Sequence, residues 1–283
     1  MSFSTYLGYF LGGYTALTAF FYLLSPMSSK AGFVARCLAS YICLLISAAY
    51  GAVVSVALSC VGHRQIAQWT TGRLFKYTMA ATTGVTFEVI DPKGYLNKVR
   101  PAVFVGNHQT ELDVLMLGCM FPKYCSVTAK SSLKKLPFLG WFMTLSGSVF
   151  IDRKNSKDAR AAMSGAAEQI KTLRQSVYMF PEGTRSYAKE PMLLPFKKGA
   201  FHLAVQAQVP IVPVVAANYS DTLYIKGMVF KSGKIPCKDV DELCNKTREL
   251  MLKEIINLTY ATRGQEAPIA ASTIKASGVD LKQ

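Results

Sequence analysis

The sequence predicts an α/β domain built on a mostly parallel sheet flanked by helices, preceded by an N-terminal apolar two-helix membrane hairpin. Three observations predict it. Charge is nearly absent from the first 63 residues, where Lys30 and Arg36 are the only charged side chains. After residue 84, short apolar runs alternate with helical patterns, the signature of strands joined by crossover helices. Three of those runs end in polar residues, as strands do when they feed a ligand site at one edge of a parallel sheet.

The apolar leader comes first. Residues 3–26 and 37–62 carry no charged side chain, and each run is long enough as a helix to cross a hydrocarbon core of roughly 30 Å. No basic region precedes the first run, which argues against a cleaved signal peptide. Two such segments with a turn near residues 26–36 form a hairpin whose ends face one side. The segment after it holds Arg64, Arg73, Lys76, Lys93, Lys98 and Arg100 with few acids, which places the body in the cytosol. Three readings of the leader stay open: it spans the bilayer, it lies in one leaflet, or it is a buried helical pair. The expected divisions are 1–63 for the membrane helices, 64–262 for the α/β domain and 263–283 for a mobile tail.

In the body, "VTFEVI" (85–90), "AVFVG" (102–106), "YCSVTA" (124–129), "GSVFI" (147–151), "SVYMF" (176–180) and "PIVPVV" (210–215) read as strands. Residues 111–121, 131–144, 157–175, 199–208 and 240–258 read as helices. Seven cysteines without C-x-x-C spacing read as small buried hydrophobes of a reducing compartment. His202 reads as core or helix packing.

Charge narrows the partners. The formal net charge is +15; residues 64–283 hold 30 of the 32 basic side chains and all 17 acidic ones, a net of +13. An apolar leader on a basic body suits an anionic membrane surface or phosphorylated substrates. No zinc-ligand pattern, RNA-binding aromatic signature or block of like charge supports nucleic acid as a partner.

Chemistry concentrates at the strand exits. His108 and Asp113 follow "AVFVG". Five residues on a regular helix is a rotation of about 500°, which would leave them about 140° apart. The sequence provides a break: Thr110 at an N-cap with Asp113 three residues on resembles a capping box, leaving His108 on the preceding loop. Asp113 can then fix the imidazole tautomer and leave the other nitrogen as a base, or serve only as a cap. The exit of "SVYMF", "FPEGTRS" (180–186), offers a turn glycine and Arg185, whose planar fork matches phosphate oxygens. A surface loop with a Glu182–Arg185 ion pair is the plain alternative.

"NHQTELD", "GSVFIDR", "FPEGTRS" and "VPIVPVV", in this order, resemble the four blocks of the glycerolipid acyltransferase family, and more narrowly those of fungal-type 1-acyl-sn-glycerol-3-phosphate acyltransferases. The resemblance covers roughly residues 60–220 and runs on through "VTAKSSLKKLPFLGWFMTLSG" and "LPFKKGAFHLA". It implies acyl transfer from acyl-CoA to the sn-2 hydroxyl of lysophosphatidate, giving phosphatidate; the alternatives are a related enzyme using glycerol 3-phosphate or another lysophospholipid as acceptor, and an inactive membrane-bound relative. It implies His108 and Asp113 as the catalytic pair, and Glu182, Gly183, Thr184 and Arg185, with Arg153 and Lys130, for the glycerol phosphate. No metal and no cofactor beyond the co-substrate acyl-CoA are implied. Membrane lipids are the expected surroundings, in the endoplasmic reticulum or, as an alternative, on a lipid droplet. One departure stands out. After "VFKSGK" (229–234) the chain passes directly through "IPCKD" to the last helix, which puts an edge strand in doubt. Finally, Asn218, Asn245 and Asn257 each begin a glycosylation sequon and should stay unmodified on a cytosolic body.

Overall fold

The computed structural model describes residues 2–152, 155–239 and 247–265. Two long helices open it, α1 (Phe3–Leu24) and α2 (Ser29–Cys60), followed by α3 (Ala67–Thr83). The body continues with β1 (Val85–Ile90), α4 (Tyr95–Lys98), β2 (Val103–Gly106), α5 (Asp113–Met120), β3 (Cys125–Lys130), α6 (Leu139–Leu145) and β4 (Val149–Ile151). Then come α7 (Ser156–Leu173), β5 (Ser176–Met179), α8 (Gly199–Ala207), β6 (Ile211–Ala216), the short β7 (Leu223–Tyr224) and β8 (Val229–Phe230), β9 (Gly233–Asp239) and α9 (Thr247–Thr262).

Seven strands form one sheet in the order β1-β9-β6-β2-β5-β3-β4. Among the described residues every neighbouring pair in it is parallel except β6 with β9. The sheet is therefore mostly parallel, with β1 and β9 running against the other five strands. Its strands alternate between two cores. Phe104, Tyr178, Val212 and Val214 pack with Phe75, Met79, Leu115 and Met116 of α3 and α5. Val103, Val105, Val177 and Val215 pack with Ile170, Leu203, Met251 and Ile255 of α7, α8 and α9. Full burial of each such side chain stabilises by about 1.5–3 kcal/mol. Helices on both faces explain why the central strands carry apolar residues on both sides.

Several expectations change. The strand put in doubt near residues 234–239 exists as β9, and it is an interior strand between β1 and β6. The helix expected over 131–144 breaks: residues 131–135 form a 3₁₀ turn and α6 begins only at Leu139. Pro137 explains it, because proline lacks an N–H and pushes the residue before it out of the helical region. His202 is exposed on α8 rather than packed in a core. The sequence gives no sign of α3, whose buried flank mixes Gln68, Thr71 and Thr83 with Ala67, Phe75 and Met79. Of the helix expected over 240–258, residues 240–246 lie outside the described set, as does the tail from residue 266 onward. Cys43, Cys119, Cys125 and Cys237 are buried as small hydrophobes, whereas Cys60 is exposed.

The leader helices lie differently from two free-standing spans. Both are long and apolar enough to cross a membrane. Yet α2 buries a stripe of small residues, Ala31, Ala35, Ala39, Ser47, Ala48, Gly51 and Ser55, along its length. Its packing partners include α3 and α6, and a Cβ on Gly51 would come within 2.5 Å of the Phe142 ring. Lys30 and Arg36 lie inside α2 rather than in the turn. Arg36 donates to the carbonyls of Thr83 (3.2 Å) and Phe230 (3.4 Å), and Tyr22 of α1 donates to Thr82 O at 2.6 Å. At the other end, Arg64 donates to the carbonyls of Leu145 (2.6 Å) and Thr144 (3.1 Å). Both ends of α2 are thus tied to the body, and the hairpin runs along it.

Candidate active site

The site starts from β2. At its last residue a Cβ would fall 1.7 Å from the Tyr178 hydroxyl, so Gly106 alone lets the strand exit pass over that ring. Asn107 then continues the strand's pairing with its side chain: Nδ2 donates to Ala216 O at 3.0 Å and Oδ1 accepts from Ala216 N–H at 2.9 Å. This fixes where His108 leaves the sheet.

His108 Nδ1 lies 2.6 Å from Asp113 Oδ2. The break that makes this possible is real but sits later than the capping-box reading places it. The helix α5 begins at Asp113 itself, and Thr110 Oγ1 accepts from Leu112 N–H at 3.2 Å in the preceding turn. The carboxylate reaches back to the N–H of Gln109 (2.7 Å), so Asp113 both holds the turn and meets the imidazole. Its other oxygen accepts from the Tyr219 hydroxyl at 2.7 Å. That hydroxyl in turn accepts from Thr110 N–H (3.0 Å) and the Thr110 hydroxyl (3.2 Å). Burial, and next the Asp113 carboxylate, push the Tyr219 phenol well up, so it stays a donor at neutral pH. Asp113 is 1% exposed, and its charge is balanced by these donors rather than by solvent. The His108 ring stacks on Phe180 at 4.0 Å with planes 15° apart, which fixes its orientation. With Nδ1 donating to the carboxylate, Nε2 keeps its lone pair. Geometry of this kind can take a proton from an alcohol.

The loop after β5 completes the cluster. Because β5 neighbours β2 in parallel, its exit lies beside His108. Ser186 N–H donates to His108 O (3.0 Å) and Tyr187 N–H to Gln109 O (3.1 Å), so the two loops are stitched together. Glu182 is 2% exposed; Oε1 accepts from His108 N–H at 2.6 Å and Oε2 from Leu194 N–H at 2.9 Å. It holds the histidine's backbone instead of pairing with Arg185 at the surface, and a buried carboxylate is ill suited to face a phosphate. Gly183 turns the loop at φ +69°, and the Lys197 side chain lies against the space where its Cβ would be. Thr184 is exposed. Arg185 pairs with Glu111 at 2.8 Å, and Tyr187 donates to the same Glu111 oxygen at 2.7 Å. Among the described residues the buried Arg185 Nε–H has no hydrogen-bond partner.

Lys130 is exposed at the end of β3, the strand beside β5, and so borders the same sheet edge. Arg153 lies outside the described residues; the strand leading to it, β4, is the outermost and two places from β5. Sequence reading missed Tyr219, Phe180 and Glu111. Glu111 and Phe180 lie inside the quoted histidine and 180–186 blocks and could have been found there; Tyr219 enters through sheet topology. Of two hollows, the first adjoins the cluster. It measures about 250 Å³ and is bounded by Thr110, Tyr187, Tyr219, Tyr224 and Lys226. Another of about 100 Å³, almost wholly apolar, lies between α2, α3, α5 and α6, with Leu44, Phe75, Leu117 and Phe142 in its walls.

Comparison with known proteins points the same way. The family described as Acyltransferase matches residues 89–217. The 1-acyl-sn-glycerol-3-phosphate acyltransferase of Saccharomyces cerevisiae is 45% identical over 225 residues, covering 75% of this chain and 74% of that one. Human 1-acyl-sn-glycerol-3-phosphate acyltransferase beta is 40% identical over 203 residues, covering 72% of this chain and 67% of its own. Among solved structures, the 1-acyl-sn-glycerophosphate acyltransferase PlsC from Thermotoga maritima superposes with a TM-score of 0.56. It covers 88% of this chain and 95% of its own at 21% identity, a likeness of fold.

Proposed function

The chain belongs to the 1-acyl-sn-glycerol-3-phosphate acyltransferases, and on that premise we propose that it acylates the sn-2 hydroxyl of lysophosphatidate to give phosphatidate. The donor in this reading is acyl-CoA. His108 Nε2 takes the hydroxyl proton as the oxygen attacks the thioester carbonyl. The tetrahedral intermediate then expels the CoA thiolate, which receives the proton from the imidazolium. Asp113 holds the tautomer and stabilises the charged ring, as the acid does in a serine-histidine-aspartate triad. The acceptor alcohol stands where the serine would be, so no acyl-enzyme forms. The observation carrying this reading is the 2.6 Å contact between His108 Nδ1 and a buried, fully hydrogen-bonded Asp113.

Arg185 is the principal phosphate ligand in this proposal, with the exposed Thr184 and Lys130 beside it and Arg153 as a further candidate. A dianionic phosphate competes with the half-exposed Glu111 for the guanidinium. Glu182 and Gly183 act indirectly, one by holding His108 and the other by turning the loop. The hollow between α2 and α5 offers apolar room for part of an acyl chain. The protein sits on the membrane through α1 and α2, with its body on the cytosolic face of the endoplasmic reticulum. The test is transfer from labelled oleoyl-CoA across a panel of lysophospholipids and glycerol 3-phosphate. Preference for lysophosphatidate supports the proposal; preference for glycerol 3-phosphate overturns the acceptor assignment.

A further inference from the structure

Residues 114–151 contain no acidic side chain and four lysines, Lys123, Lys130, Lys134 and Lys135. Inside this stretch, Leu136, Phe138, Trp141 and Leu145 are 45%, 40%, 55% and 39% exposed. They are not scattered. Trp141 and Leu145 are four apart on one flank of α6, and Phe138 stands at the residue before its start. The Phe138 and Trp141 rings are 5.1 Å apart. On its inner side α6 buries Gly140 and Met143 and packs Phe142 against Gly51 of α2. The outer flank is therefore apolar by composition, not because the helix has turned its core outward. Phe138 also holds φ +59°, a backbone state uncommon for a residue other than glycine and kept only where the surrounding structure holds it.

The patch continues an apolar surface already on the molecule. Tyr50, Val53 and Val56 of α2 are exposed, and Arg64 ties the last turn of α6 to the end of that helix. The patch also follows directly from Lys130 at the exit of β3, on the sheet edge where the His108 and Arg185 loops emerge. Tryptophan and phenylalanine beside lysines match the chemistry of the bilayer's headgroup layer, where amphipathic rings settle and cations meet lipid phosphates.

We infer that residues 134–145 form a second membrane-contacting surface, seating Phe138 and Trp141 in the interfacial layer of an anionic leaflet and turning the catalytic edge toward the headgroups. The inference rests on the membrane reading of α1 and α2 but adds to it. The hairpin alone fixes attachment, whereas a second contact fixes orientation and keeps a lipid acceptor's phosphate within reach of the site.

The protein carries its own reporter, since Trp69 and Trp141 are its only tryptophans. The full-length Trp69→Phe protein is reconstituted with vesicles of phosphatidylcholine, with and without phosphatidylserine, and flotation measures attachment. Emission is then read against lipids bearing a quencher near the headgroup or deep in the chain. The expected result is a blue-shifted Trp141 emission quenched more by the shallow label than by the deep one, and more strongly with phosphatidylserine. Lys134→Gln with Lys135→Gln should remove most of the phosphatidylserine dependence, each cation contributing about fivefold to partitioning at such a surface. Should Trp69→Phe fold poorly, the difference between wild type and Trp141→Phe gives the same signal. Vesicle-bound protein with Trp141 unquenched by either label overturns the inference while leaving the hairpin reading intact. Blue-shifted but unquenched emission overturns it in favour of a second copy covering the patch. Failure to float removes the membrane reading itself.

Discussion

The loops around His108 and the packing of α2 are held by opposite means. In the loops, side chains from three segments and backbone N–H groups meet through directional bonds: Asp113 accepts from Gln109, His108 and Tyr219, and Glu182 accepts from His108 and Leu194. Along α2, placement comes from small residues whose lack of bulk lets α3 and α6 approach, with hydrogen bonds mainly near the two ends. Directional wiring localises function, since each bond fixes the orientation of one group at the catalytic pair. Close packing spreads its contribution, since each methyl added or lost is shared among neighbours. Changes in the loops should therefore lower catalysis in a folded protein, and changes along α2 should lower stability first.

The largest effect tests that division at once. His108→Ala should lower kcat by about 10²–10⁴ while thermal unfolding stays close to wild type, because a positioned base is worth that much. Asp113→Asn should cost a comparable or smaller factor. Retention of more than half the wild-type kcat in His108→Ala removes the base assignment. Tyr219→Phe should come next, with kcat lowered about tenfold, the scale of one hydrogen bond to a charged group. Rate loss without change in either KM marks Tyr219 as a residue acting through Asp113; a loss of stability alone makes it structural.

How much of this was readable beforehand follows from chain distance. His108 and Asp113 are five residues apart, so their meeting needed only a local break, and the threonine and aspartate signalled one. Strands and their exits were readable because period and length belong to short windows. Pairing direction does not, which is why β9 reverses against β6 without warning in "SGKIPCKD". Tyr219 lies over a hundred residues from Asp113 and reaches it only because β6 neighbours β2. The helix α3 went unseen because close contact with other helices favours small and polar residues. At its crossing with α5, a Cβ on Gly118 would come within 2.7 Å of Gly72 O. That flank lacks the apolar stripe by which a surface helix is read.

Smaller effects sharpen the comparison at its edges. Arg185→Lys keeps the charge but loses the fork, and should raise KM for lysophosphatidate about tenfold with little change in KM for acyl-CoA. Movement of the acyl-CoA constant alone would assign Arg185 to the donor. On the packing side, Gly51→Leu must displace the Phe142 ring and the Thr71 hydroxyl, which a Cβ would meet at 2.5 and 2.8 Å. It should cost about 1–3 kcal/mol, visible as a lower Tm, with activity per folded molecule reduced less than in Tyr219→Phe. Equal losses in both variants would erase the distinction between the two regions.

The smallest expected effect is none, and it concerns sidedness. Three asparagines begin sequons, but they are unequal. Asn218 is 8% exposed and fully engaged: its N–H donates to Thr259 Oγ1, its amide to Ala188 O, and its Oδ1 accepts from Ser220 N–H. A glycan there has no room in the fold. Asn245 lies outside the described residues. Asn257 is exposed on α9 and is the usable reporter. Because Arg36 and Arg64 tie both ends of α2 to the body, that helix cannot carry the body across the bilayer while keeping these contacts. The basic residues from Arg64 to Arg100 favour the cytosolic side. Endoglycosidase treatment of the protein from microsomes should therefore produce no mobility shift, and protease added to intact microsomes should reach the body. A glycan on Asn257 would place the body in the lumen. Acyl-CoA would then need a route other than the cytosol.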